Sequence, residues 1–197
     1  MPSYEFEGLT PVVAKSAFIH PTSVLIGDVF VGQGCFVGPG AVMRGDIARL
    51  IMQRGSNLQD CCIVHTFPGR ETVIGEDSHI GHGAIIHGCT LGRNVMIGMN
   101  AVVMDGASIG DEAFVAAQAF VKAGQVVEAR TLVAGVPAKV IRTLGDDEVR
   151  RKSIGTAIYQ HLARRYLETM REVQPVGEVE EGRPSLPGLE HIHKGEW

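Results

Sequence analysis

Aromatic side chains are scarce, at 6% of the chain, so a core of stacked bulky rings is excluded as its main support. Positive charge is not in excess either. Lys and Arg number 18 against 22 Asp and Glu, a formal net charge of −4, which removes the electrostatic case for nucleic acid or an anionic membrane as partner. No stretch approaches the ~20 consecutive apolar residues of a membrane span. The opening MPSYEFEG is acidic and lacks the apolar run of a secretory signal, so a cytoplasmic location is expected. The four cysteines, Cys35, Cys61, Cys62 and Cys89, show no CxxC spacing. A thiolate zinc site is therefore not indicated, and buried free thiols are expected.

What the chain does have is a period of six. Ile19, Leu25, Val31, Val37 and Met43 are all aliphatic and six apart. Ser23, Val29, Cys35, Ala41 and Ile47, four residues after each, are mostly small. The phase slips by three and resumes at Met52, Leu58 and Val64, then at Ile74, Ile80 and Ile86. The last run is Leu91, Ile97, Val103, Ile109, Val115 and Val121, with Val95, Ala101, Ala107, Ala113 and Ala119 as small partners and Gln125 as the exception. One aliphatic and one small position per hexad is the pattern of a hexapeptide β-helix. Each hexad is a short strand and a turn, and three hexads close a coil of about 18 residues. The fold class read from this is all-β, a parallel β-helix over residues 1–145, whose stacked coils leave open edges only at the two ends.

The repeat is expected to end near Ala123–Val127, with Val136-Pro137-Ala138 as an extended connector. From Asp146 to about Val173 the pattern turns helical. Ile154, Ile158, Leu162, Tyr166 and Met170 recur at i+4 as one apolar stripe. Asp146 or Asp147 can cap the start, and Gly155 is expected to break the segment into a short and a longer helix. Residues 174–197 are rich in Pro, Gly and Glu and read as a loose or wrapping tail, with His191 and His193 solvated.

Three of the eight histidines stand in register with the repeat. His65 follows the inward Val64 and His87 follows the inward Ile86, so both occupy the same outward position. The interval exceeds one coil by four residues, which an extruded loop at Thr66–Glu71 absorbs. The two imidazoles then lie on adjacent coils, about 4.8 Å apart, and can converge on one ion. A corner separates His82 from His87, so His82 diverges from the pair and reaches a neighbouring subunit's pair more readily. A three-fold ring makes three equal sites. Three neutral imidazoles leave a fourth position open for water, as in catalytic rather than structural zinc. Spacing alone equally allows three surface histidines that cap turns. Arg44 and Asp46, one glycine apart, could orient a ligand or form an interface salt bridge. His20, His79 and His161 are read as structural.

Met43-Arg44-Gly45-Asp46, Asn57-Leu58-Gln59-Asp60, Val64-His65, Ile80-Gly81-His82 and Ile86-His87-Gly88 together resemble the γ-class carbonic anhydrase family. The resemblance covers about residues 8–170. It implies a left-handed β-helix, a homotrimer and one metal per interface, with His65 and His87 from one chain and His82 from the next. It further implies that Arg44, Asp46 and Asp60 form ion pairs at the site. Gln59 would bond the metal's water or substrate, with Asn57 supporting it. Tyr159 matches a tyrosine of the shorter-loop members and could orient substrate. Zinc is the default ion, and iron or cobalt also suits the donor set.

Two departures bear on activity. The best-known member carries an acid immediately after Arg-x-Asp and an acidic loop after the first ligand. Here Ile47 and Thr66-Phe67-Pro68-Gly69 stand there, with Glu71 further along. Rapid CO₂ hydration needs a proton shuttle within reach of the metal. Gly8–Val13, His20–Asp28, Gly98–Gly106 and the tail Val176–Leu186 are most similar to the phenylacetic acid degradation branch of the family, and almost as similar to its carnitine operon branch. The first implies a thioesterase acting on acyl-CoA. Carbonic anhydrase activity on CO₂ and bicarbonate, a metal-free hexapeptide acyltransferase and a non-catalytic assembly subunit are the alternatives.

Overall fold

The six-residue phase becomes a stack of coils. In this computed structural model, which describes residues 3–186, most strands are two or three residues long and pair in parallel with the coil above and below. Ile97 pairs with Val115, and Val115 with Val133, one coil of 18 residues each time. About seven turns build the parallel β-helix. The inward aliphatics fill the prism: Leu25, Met43, Leu58, Ile80, Ile97 and Val115 are each fully buried. The small partners sit at the corners, where Ala101, Ala113 and Ser23 are likewise buried. Ser23 turns its hydroxyl onto the Gly38 carbonyl at 2.8 Å, so its polarity is satisfied.

The turns take left-handed backbone, which one column meets with Gly88, Gly106 and Gly124 at φ of 53–69°. Close stacking sets a second demand: a Cβ on Gly98 would lie 2.3 Å from the Ala117 nitrogen. Cys35, Cys62 and Cys89 are buried, but Cys61 is exposed at a left-handed turn, contrary to the expectation for all four. Burial raises the three buried thiols to about 12.

The slip in phase is one long strand, Val42–Met52, which runs across a corner and pairs on two faces. Ile47 falls inside the extra residues and is exposed, while Leu50 takes the buried position. The coils also continue beyond Val127. Strand Thr131–Ala134 stacks on Phe114–Val115, and Val133 is fully buried. Val136-Pro137 is a cis bond in a turn, not an extended connector, and leads into Lys139–Thr143, antiparallel to the last coil.

A single helix, Asp146–Thr169, then returns along one face. Gly145, not Asp146 or Asp147, is the N-cap, and its N–H donates to Glu148 at 3.1 Å. Gly155 does not break the helix, although a glycine in a helix interior costs roughly 1 kcal/mol relative to alanine. Docking supplies the missing stability. Val149, Lys152, Thr156, Ala157 and Ala163 are the buried residues, so the expected stripe of Ile154, Ile158 and Leu162 is only half-buried and Met170 is exposed. The reason is the face the helix meets. It carries rings and polar turn atoms: Phe18 against Tyr166 at 4.8 Å, Phe36 against Tyr159 at 5.2 Å, and Gly55 and Asp77 receiving bonds from Gln160 at 3.0 Å. Residues 174–186 hold no helix or strand; His191 and His193 lie outside the described residues.

Candidate metal centre

Strands Ile63–His65 and Ile85–His87 pair in register, His87 opposite His65. Val64 and Ile86 are buried, and strand alternation sends the next residue outward. The 22-residue interval between the histidines is accommodated by the exposed loop 67–71, whose base is closed by Thr72 donating to the His65 carbonyl at 2.7 Å. The ring centroids are 5.2 Å apart, and His65 Nδ1 lies 3.2 Å from His87 Nε2.

The outer nitrogens decide what that approach means. His65 Nε2 is 3.0 Å from Asp46 Oδ1, and His87 Nδ1 is 2.8 Å from Asp105 Oδ1. An ionised carboxylate only accepts, so each ring donates an N–H outward, and in its neutral, metal-binding form turns the lone pair of the other nitrogen inward. Two lone pairs then face each other at 3.2 Å. Two nitrogens on one tetrahedral zinc are separated by about 3.3 Å, given Zn–N of roughly 2.0–2.1 Å. The pair therefore fits a shared divalent cation. Arg44 Nη1 donates to Asp46 Oδ2 at 2.6 Å. Burial opposes ionisation of Asp46, but the bonds from Arg44 and His65 outweigh it and hold the carboxyl below its usual range.

His82 lies apart, on the turn after strand His79–Ile80, with Nδ1 2.9 Å from Asp60 Oδ2. Among the described residues of one chain, no three His, Cys, Asp or Glu side chains converge on a common point. Asn57 and Gln59 are buried on the face beneath the helix. Gln59 Nε2 donates to His79 Nε2 at 2.7 Å and to Asn57 Oδ1 at 3.0 Å. Burial pushes the His79 pKa down to about 4, so its ring is neutral and can accept. Tyr159 packs edge-on to His79 at 5.4 Å, and burial raises its hydroxyl to about 12. His79, read from the sequence as structural, thus links Gln59 to the helix.

Asp105 went unnoticed in the sequence. Its signal was there: it follows His87 by 18 residues, one full coil, and so stacks directly on it.

Residues 88–123 match the family described as bacterial transferase hexapeptide (six repeats). The chain is 52% identical over 192 residues to the carnitine operon protein CaiE of Escherichia coli O157:H7, covering 98% of each, and equally to CaiE of Shigella sonnei. Among solved structures, a hexapeptide transferase family protein from Anaplasma phagocytophilum is 36% identical, with a TM-score of 0.81, over 84% of this chain and 98% of that one. A Bacillus cereus protein described as a candidate acetyltransferase is 32% identical, with a TM-score of 0.83, over 84% and 96%.

Proposed function

The chain belongs to the hexapeptide-repeat family that includes CaiE, and we propose that within it this protein is a metal-dependent hydrolase of CoA thioesters, working as a homotrimer. The observation that carries this reading is the 3.2 Å approach of His65 Nδ1 to His87 Nε2, with the other nitrogen of each ring on a carboxylate. Those two residues and His82 of a neighbouring copy would hold the ion, zinc first among the candidates. A divalent ion bound by three neutral imidazoles supplies a Lewis acid that polarises a carbonyl and acidifies coordinated water.

The chain's own groups do the rest. Asp46 and Asp105 fix the tautomers of the two rings, and Asp60 does the same for His82. Arg44, half-exposed and held by Asp46, offers its remaining N–H donors to a developing oxyanion or to a substrate phosphate. Gln59, anchored on His79 and Asn57, and Tyr159 behind it would line the site from the copy that supplies His82. Hydrolysis converts a thioester and water into a carboxylic acid and free CoA thiol. The thiolate leaves without strong protonation, so the absence of an acid at Ile47 matters little. CO₂ hydration should suffer more, because it depends on fast proton export. The motifs Gly8–Val13, His20–Asp28 and Gly98–Gly106, which resemble the phenylacetic acid degradation branch, support acyl-CoA esters of that pathway as the substrates to try first, and the 52% identity to CaiE supports testing carnitine-pathway esters beside them. The transferase description of the matched repeat family favours a second reading, acyl transfer to an acceptor without metal.

One preparation purified without chelator tests both. Elemental analysis should find about one divalent ion per chain, and free CoA should appear from phenylacetate-pathway thioesters without an acceptor. Both should vanish in a His65→Ala/His87→Ala variant. CoA release only when an acceptor is added would favour the transferase reading. Fast CO₂ hydration by stopped flow with no CoA release would reverse the assignment to carbonic anhydrase.

A further inference from the structure

The helix does not lie flush on the coils along its whole length. Near its N-terminal half a cavity of about 490 Å³ remains, with Met96 and Phe114 as an apolar floor and Arg151, Lys152 and Gly155 on the helix side. That volume lies within the range of small-molecule sites. His79 also borders it, but both of its ring nitrogens are turned to Gln59 and Asn57, so it presents ring carbon.

Two features mark this space as more than a packing fault. The first is Lys152, only 6% exposed. Its ammonium donates to the Asp77 backbone carbonyl and to Asn94 Oδ1, both neutral acceptors. Among the described residues no carboxylate stands within ion-pair distance of it. Glu148, the one acid lining the cavity, is taken by Arg142 through two bonds of 2.7 and 2.8 Å and by the Gly145 N–H. A buried cation with no direct ion pair is costly, and burial pulls the Lys152 pKa down to about 7 against the attraction of the more distant Asp77 and Glu112 carboxylates. The second is Gly155. It weakens the helix at mid-length, and a Cβ built on it would meet nothing within 4 Å. No protein atom requires glycine there, and the space its side chain would enter belongs to the cavity.

We propose that this cavity is a binding site for a small organic anion, a monocarboxylate with an apolar body, whose carboxylate completes the Lys152 ammonium while its body rests on Met96 and Phe114. Arg151 adds a second positive charge at the rim; its Nε is held by the Asp147 carbonyl. The site does not involve His65, His82 or His87, and its existence does not depend on the hydrolase reading.

Butyrate and benzoate are the probes, with chloride and inorganic phosphate as charge-only controls, measured by ligand-observed NMR and calorimetry on the full-length protein. Both acids should bind saturably at or below about 10 mM, and the inorganic anions should not. Lys152→Met removes the charge and keeps the stem, and Gly155→Leu fills the space from a position with no neighbouring protein atom. Each should weaken binding about tenfold or more, a loss of at least 1.4 kcal/mol. Gly155→Leu carries the test if the lysine variant fails to fold. Binding should persist in His65→Ala/His87→Ala. No saturable binding of either acid, equal binding of phosphate, wild-type affinity in the folded variants, or loss of binding in the histidine variant would each overturn the proposal.

Discussion

Asp105→Ala leaves both proposed ligands on the His65/His87 face in place and removes only the group behind one of them. In the native protein Asp105 Oδ1 holds the His87 Nδ1–H at 2.8 Å, which keeps Nε2 turned towards His65 Nδ1, 3.2 Å away. Without it the ring can rotate, and the tautomer that carries the proton on Nε2 becomes available. His65 keeps its own carboxylate, Asp46, at 3.0 Å, so the damage is confined to one ligand. Loss of such an outer partner lowers metal affinity by roughly 10- to 100-fold, which corresponds to about 1.4–2.7 kcal/mol. Asp105→Asn should cost less, because the amide oxygen can still accept from Nδ1–H. His87→Ala should cost more than either. Zinc affinity is read by competition with a chromophoric chelator, and folding is checked by thermal unfolding, since Asp105 is partly exposed and tops no core cluster. Zinc affinity within twofold of wild type in Asp105→Ala would refute the account of the histidine pair as a carboxylate-oriented metal site.

Gly155→Ala should stabilise the protein by about 1 kcal/mol, raising Tm by roughly 2–4 °C for a chain of this size, because the new methyl meets no atom within 4 Å; a lower Tm would show that the space beside the helix is closed. Stability should also depend on pH through Lys152 and the buried thiols, with opposite signs. Lys152 releases its proton near 7 in the native state but at 10.5 when unfolded, so the unfolded chain binds the extra proton between these values and stability rises with pH, by at most ~1.4 kcal/mol per pH unit. Cys35, Cys62 and Cys89 ionise near 12 when native and at 9.0 when unfolded, so above pH 9 the native state holds the extra protons and stability falls. Chaotrope unfolding at pH 7, 8 and 9 should show the rise in wild type and a flatter profile in Lys152→Met. Equal slopes would refute the lysine assignment.

The sequence alone was enough for the coils, because each hexad carries its own instruction. An aliphatic residue every sixth position can be buried only if the chain turns after every hexad, and Ile97, Val103, Ile109, Val115 and Val121 all reach the core. The stacking of His65 on His87 follows from the same phase once the loop is set aside. Contacts between segments were harder to read. The i+4 stripe through Ile154 and Ile158 identified a helix but not the face it buries, since docking was decided by Phe18, Phe36, Asp77 and Asn94 on distant coils. Gly155 lowers helix propensity locally, and only that packing keeps the helix continuous across it. Val136-Pro137 read as extended from the general effect of proline on its neighbour, whereas pairing of Lys139–Thr143 with the last coil imposes a turn. Periodicity records which side of its own strand a residue faces. Which atoms meet across strands, such as Asp105 on His87 or Lys152 on Asn94, depends on coil length and on how the helix docks, and only the tertiary structure decides those.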